Sequence, residues 1–415
     1  MIPRDMPPPS HARAATGPLE TGPDAFPAVS SGGRFAALDS LRGVAALMVL
    51  AFHCWKIGLF EQPAGWVLHL WYWTPLNWLI TGRPWVILFF VLSGFVLSIA
   101  LERAGASQGY AGFVLRRMCR IYLPFSASIL FSALAWALVH PAPIGGLSSW
   151  FNDLAWTEPP TARLIALHLL MTGVKGHDSL NPVMWSLVYE LRISIIFPFL
   201  WILVRRWPRL SLLAAVVAHV GASLVVGCGG NPQCAPFRGD DLAESFALTG
   251  YFAVFFVVGM FVAHHREVII GTLRRIPGWW RAVLSLGAIY SVILPHAPYF
   301  SVLLPADITF GLGSALMIAL ALGSPAWSRT LQSRPLLWLG RVSYSLYLTH
   351  NVVLLAVVHL LYPLLDGAAL VAAVVLASLI VAEASYRLVE APSIRLGRYL
   401  SRARASAKRV APGHA

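Results

Sequence analysis

The chain has 415 residues, of which 57% are hydrophobic and only 12% charged, with a mean hydropathy of +0.68. Soluble domains carry about 25% charged residues, so a water-soluble globule is excluded and an all-α integral membrane protein is expected. The formal net charge of +13 then points to cytoplasmic loops rather than to a nucleic-acid surface, because Lys and Arg concentrate on the inner side of a membrane.

Residues 1–33 are rich in Pro, Ala, Gly and Ser and lack the apolar core of a signal peptide; they read as a disordered cytoplasmic tail. A span needs about 20 mostly apolar residues. About ten such stretches follow, near 37–57, 83–102, 121–140, 185–204, 209–228, 246–264, 280–295, 305–323, 342–363 and 366–388. The segment "TARLIALHLLM" (161–171) is too short to span and is expected to be re-entrant or interfacial. The transmembrane domain is taken as 34–395, and 396–415 as a basic cytoplasmic tail. With both termini inside, 21 basic residues fall on inward segments and five on outward ones, the bias expected of that orientation. Cys54 and Cys119 read as inert. Cys228 and Cys234 flank "GGNPQ" in an outward loop, either free or bridged in an oxidising periplasm. No Cys or His pair has zinc-ligand spacing, so no metal site is expected.

Ionisable groups inside apolar spans cost about 2.5–3.5 kcal/mol on insertion scales and are functional candidates by default. "LDSLRGVAALMVLAFHC" (38–54) carries Arg42 and His53. At 100° per residue they share one helix face about 16 Å apart; the alternative is a snorkelling Arg and a His bonded to a neighbouring helix. In "FFVLSGFVLS" (89–98), Ser93, Gly94 and Phe95 mark helix packing or close backbone approach to a ligand. In "RRMCRIYLP" (116–124), Arg117 and Arg120 share a face, suited to anchoring or to phosphate binding, and Tyr122 follows. "NPVMWSLVYELR" (181–192) brings Trp185, Ser186 and Glu190. Glu190 stands at a depth similar to His53, so the two can form an acid–base pair; otherwise Glu190 pairs with Arg192 or caps another helix. "GRVSYSLYLTH" (340–350) places Ser343, Tyr347 and His350 on one face, beside Ser345, as a polar cavity wall or as glue between helices. "YRLVEAP" (386–392) sets Tyr386 and Glu390 one turn apart.

These six motifs, in this order from about residue 35 to 395, resemble the acyltransferase family 3 membrane proteins, which O-acylate bacterial surface glycans and some small molecules. The resemblance implies ten spans, a cytoplasmic acyl-coenzyme A donor, no bound cofactor, and transfer across a bacterial inner membrane to an acceptor hydroxyl. It implies catalysis by His53, with Arg42, Arg117 and Arg120 near the donor; the matched depth of Glu190 makes it the expected orienting and catalytic partner of His53. The other motif residues, Tyr122, Ser93, Gly94, Phe95, Trp185, Ser186, Ser345, Tyr347 and His350, are then substrate-binding candidates. Some members carry a C-terminal SGNH-type domain, which this chain is expected to lack. Cys54 after the His is a departure from the family pattern. Acetyl is the expected acyl group. Direct attack on the thioester and an acyl-histidine intermediate both stay open. Two other classes remain: a multi-span transporter using His53 and Glu190 as a proton relay, and a non-catalytic partner of glycan-assembly proteins.

Overall fold

The structure is a computed structural model that describes residues 35–410, apart from 60–64, 66–70, 72, 105–108, 229–233, 235 and 294–304, with side chains described as far as Arg404. The expected tail at 1–33 lies outside the described residues. The principal helices are α1 (Ala36–Lys56), α2 (Arg83–Ala104), α3 (Tyr110–Val139), α4 (Trp185–Arg206), α5 (Pro208–Val225) and α6 (Leu242–His264). They continue as α7 (Gly278–Tyr290), α8 (Ala306–Gly323), α9 (Arg334–Leu361), α10 (Gly367–Ser385) and α11 (Ala391–Val410). The protein is an all-α integral membrane protein.

Nine stretches among the described residues are long and apolar enough to cross a membrane. The helix near the expected 280–295 span is not among them: α7 has 13 residues and rises about 20 Å, short of the ~30 Å hydrocarbon core. Arg266, just after α6, bonds Glu102 at the C-terminal end of α2 at 2.8 Å. Asp307, at the start of α8, accepts two bonds of 2.7 and 2.5 Å from Arg83 at the other end of α2. Arg266 and Asp307 therefore stand at opposite ends of α2.

Several helices start earlier than apolar runs suggest. α3 begins at Tyr110 and takes in Arg116, Arg117, Arg120 and Pro124; α9 begins at Arg334. The basic turns near the start of a span keep their helical hydrogen bonds while their long side chains reach polar surroundings. Asp241 and Asp366 cap α6 and α10 by accepting the backbone N–H of Glu244 (2.9 Å) and Ala369 (2.8 Å). The segment after residue 390 continues as α11, so the expected tail boundary at 396 falls within a helix. The short segment at 161–171 forms the helix Ala162–Leu169. Cys228 and Cys234 are joined by a disulfide.

Glycine sets the closest helix contacts. A β-carbon on Gly94 would fall 2.2 Å from the Phe256 carbonyl oxygen, and one on Gly259 would fall 2.0 Å from that of Val91. α2 and α6 thus pack backbone to backbone, as small residues allow in membranes. α1 packs along α9 in the same way through Gly43 and Gly340. The two helices run parallel: His53 and His350, each ten residues further on, meet as well.

Candidate active site

His53 lies in the last turn of α1, and His350 in the middle of α9. His53 Nδ1 is 2.9 Å from His350 Nε2. The rings are nearly coplanar, 22° apart with centroids at 5.0 Å, the arrangement of an edge-to-edge N–H···N bond. On its face, His53 lies parallel to the Trp150 indole at 5.3 Å and 17°. Trp150 is brought there by Ser148, whose hydroxyl donates to the Lys56 carbonyl (2.5 Å) and whose N–H donates to the Ile57 carbonyl (3.0 Å).

His53 opens onto a cavity of about 370 Å³, within the range of small-ligand sites. Phe52, Trp150, Trp185, Phe237 and Tyr347 give it an aromatic lining; Lys56, Arg83 and Arg238 are its cations. Two of those cations are paired. Arg83 is held by Asp307, which also accepts from Tyr251 at 2.8 Å. Arg238 is in contact with Asp178 and donates to the Pro182 carbonyl at 3.2 Å. Burial outweighs the attraction of Arg238 and pushes the Asp178 carboxyl up to about 6.

A second, small cavity of about 20 Å³ lies further in, lined by Arg42, Ser186, Glu190, Tyr344 and Tyr347 among others. That is room for about one water. Arg42 Nε is buried there with no hydrogen-bond partner among the described residues. The charges of Arg120, Glu190, Asp39 and Glu390 act on Arg42, and those of Arg120, Glu190, Arg42 and Arg116 on Arg117. The three arginines expected to serve the donor thus belong to one cluster. Val86 and Tyr347 line both cavities and form the partition between them. Tyr347 is fixed by Ser186 (2.6 Å) and by donation to the Val183 carbonyl (3.2 Å).

The remaining expected residues divide. Trp185 lines the larger cavity, and Ser186 the smaller. Glu190 accepts from Ser93 at 3.2 Å, and among the described residues no hydrogen bond joins it to His53; the ring's partner is His350 instead. His350 is fully buried and lines neither cavity, so it stands behind His53 rather than against a substrate. Gly94 is a helix contact, and Phe95 is buried edge-on to Phe35 at 5.6 Å; both pack the core and line neither cavity. Ser345 donates to Glu390 at 2.7 Å, and Tyr122 donates to the Leu169 carbonyl at 2.9 Å.

Three neighbours of the site were given no role by sequence reasoning. Glu390 is buried in the cluster, at the end of a π-turn over Tyr386–Glu390; such turns recur at functional sites, and the carboxylate in "YRLVEAP" was the available signal. Tyr344 lines the small cavity and donates to the Ile121 carbonyl at 2.9 Å. Trp150 lies in the short helix Ser149–Leu154, outside the apolar spans, and left no signal of its own.

Comparison with known proteins shows the family of the chain. The family described as "Acyltransferase domain" matches residues 35–387. "Nodulation protein 10" of Rhizobium leguminosarum bv. viciae is 26% identical over 199 residues, 46% of this chain and 51% of that protein. "O-acetyltransferase PaAT-1" of Phomopsis amygdali is 28% identical over 199 residues, 38% of each. "Putative peptidoglycan O-acetyltransferase YrhL" of Bacillus subtilis (strain 168) is 27% identical over 337 residues, 75% of this chain and 47% of that protein. The chain spans about half, or less, of the length of these relatives. No solved structure matches.

Proposed function

The chain belongs to the acyltransferase family that matches it over residues 35–387, and from that membership we propose that it is an O-acyltransferase of the bacterial inner membrane. It takes an acyl group, acetyl first among candidates, from acyl-coenzyme A on the cytoplasmic side. The group passes to a hydroxyl of a glycan or small molecule in the larger cavity, facing the periplasm. Both termini are cytoplasmic, in keeping with the distribution of Lys and Arg.

One observation carries this reading. A single helix, α1, bears His53 on the larger cavity and, about 16 Å away along its axis, Arg42 with a buried and unpartnered guanidinium nitrogen. An unsatisfied buried donor is costly, and a phosphate oxygen of the coenzyme would satisfy it, with Arg117 and Arg120 adding charge. In the reaction, a ring nitrogen of His53 takes the proton of the acceptor hydroxyl. The alkoxide oxygen attacks the thioester carbonyl carbon. The C–S bond breaks, the thiolate leaves, and His53 returns the proton to sulfur. The products are the O-acyl ester and free coenzyme A. The reaction requires a path from the arginine cluster to His53, and the apolar side chains of Phe89 and Phe90 beside the smaller cavity would limit hydrolysis of the thioester along it.

The test compares glycan and hydroxylated-metabolite fractions of wild-type and deletion strains by mass spectrometry and NMR. An acetyl ester lost on deletion and restored by the gene is the expected result. Identical acyl-ester profiles, with the protein expressed in the wild type, would refute the proposal.

A further inference from the structure

The hydrogen bonds of His350 constrain the tautomer of His53. His350 Nδ1 is 3.0 Å from the Leu346 carbonyl oxygen. A carbonyl only accepts, so His350 Nδ1 carries a proton. His350 Nε2 lies 2.9 Å from His53 Nδ1. Two N–H groups cannot face each other at that distance, so one of these nitrogens is bare. With its Nδ1 proton committed to Leu346, a neutral His350 has its lone pair on Nε2, and His53 Nδ1–H is the donor. Neutral His53 then has its lone pair on Nε2.

The surroundings leave His350 little other role. It is fully buried, lines neither cavity, and is set by its place on α9. His53, by contrast, lines the larger cavity. Trp150 on the ring face and His350 on the Nδ1 edge together fix the orientation of the imidazole.

From this geometry we infer that His350 is a positioning residue which holds His53 as the Nδ1–H tautomer, so that Nε2 is the atom that takes the acceptor proton. The inference rests on the reading of His53 as the base. After proton transfer, His53 is an imidazolium with N–H at both positions. Its Nδ1–H still donates to the His350 lone pair, so the charge formed during the reaction keeps a hydrogen-bond partner. This is the service that a carboxylate gives in the Ser-His-Asp triad, performed here by a neutral imidazole.

Two variants and one spectroscopic readout test it. His350→Phe keeps an aromatic ring and removes the acceptor. His350→Gln supplies an amide oxygen near the place of Nε2. The expected result is a kcat reduced by about 100-fold or more in the Phe variant, with donor KM little changed, and by about 10-fold or less in the Gln variant, since tautomer control by a base's partner carries effects of this order or larger. The tautomer itself is read by ¹⁵N NMR of histidine-labelled full-length protein in lipid nanodiscs, with the His53 signal assigned by its loss in His53→Ala. Wild type should show Nδ1 protonated and Nε2 bare, and His350→Phe should show a mixture. Equal losses in the Gln and Phe variants, an unimpaired Phe variant, or Nε2–H in the wild type would each overturn the inference. If the Phe variant fails to fold, the wild-type spectrum alone decides. The spectrum does not depend on catalysis, so it separates failure of this inference from failure of the proposed reaction, which an active His53→Ala would expose.

Discussion

A β-carbon placed on Gly43 would stand 2.6 Å from the backbone nitrogen of Gly340. α1 and α9 therefore touch at their backbones, and the contact sets the separation at which His53 and His350 meet about 15 Å further along. Gly43→Ala must push the helices apart. The expected outcome is a lower melting temperature, from an overpacking cost of about 1–3 kcal/mol, with a disproportionate loss of acyl transfer. Gly271→Ala is the control, because a β-carbon there meets nothing within 4 Å. Thermal melts and initial rates on the two variants check this. Equal behaviour would show that the contact does not matter.

The partition between the cavities can be thickened. Among the described residues Val86 and Tyr347 alone line both, and in the proposed reaction the acyl group passes them to reach His53. Val86→Trp should cut transfer about tenfold or more while leaving acyl-coenzyme A affinity within about twofold, since the added ring blocks passage and not the arginine cluster. Calorimetry with acyl-coenzyme A alongside turnover separates the two effects. A loss of donor affinity equal to the loss of turnover would place the donor's path elsewhere.

Arg42 should act on donor binding. Losing a charge-assisted hydrogen bond to phosphate costs roughly 1.5–3 kcal/mol, or about one to two powers of ten in affinity. Arg42→Ala should raise the donor KM by that factor, and Arg42→Lys should recover part of it, since an ammonium cannot bind bidentately. Steady-state kinetics in reconstituted protein with acyl-coenzyme A varied is the measurement. A lowered kcat at unchanged donor KM would contradict the assignment.

Asp178 gives a pH dependence. Its carboxyl lies outside the spans and is pushed up to about 6 by burial from an ordinary value of 3.8. Between those values the folded protein holds a proton that the unfolded chain has released. Stability from this group therefore falls as pH rises from about 4 to about 6 and levels off above. The difference in melting temperature between wild type and Asp178→Asn should follow that curve. A difference independent of pH would mean that the carboxyl titrates outside this window.

The parts of this architecture that were readable without coordinates are those governed by transfer energy. Long apolar runs announced the helices, and the rare ionisable groups within them, Arg42, His53, Glu190 and His350, all proved to be buried or cavity-lining. Partnership was not readable. Helical phase places Glu190 and His53 at similar depth but says nothing of which helices adjoin, so His350 was not seen as the ring's partner. The pairing depends on α1 and α9 packing through Gly43 and Gly340, 297 positions apart. Likewise "SGF" at 93–95 carries the same small-residue signal whether it meets a ligand or a helix, and the facing Gly259 decides the matter. The apolar run near 280–295 likewise did not announce that α7 has only 13 residues.

The most direct test of the account follows label through His53. Inverted membrane vesicles from the expressing cell receive [¹⁴C]acetyl-coenzyme A at their outer, cytoplasmic face, and ester-linked label is counted in the luminal glycan fraction. Wild-type vesicles should accumulate luminal ester. Vesicles with an equal amount of folded His53→Ala should do so at about 1% of that rate or less, the loss expected on removing a general base. Luminal labelling by His53→Ala at the wild-type rate would contradict the account.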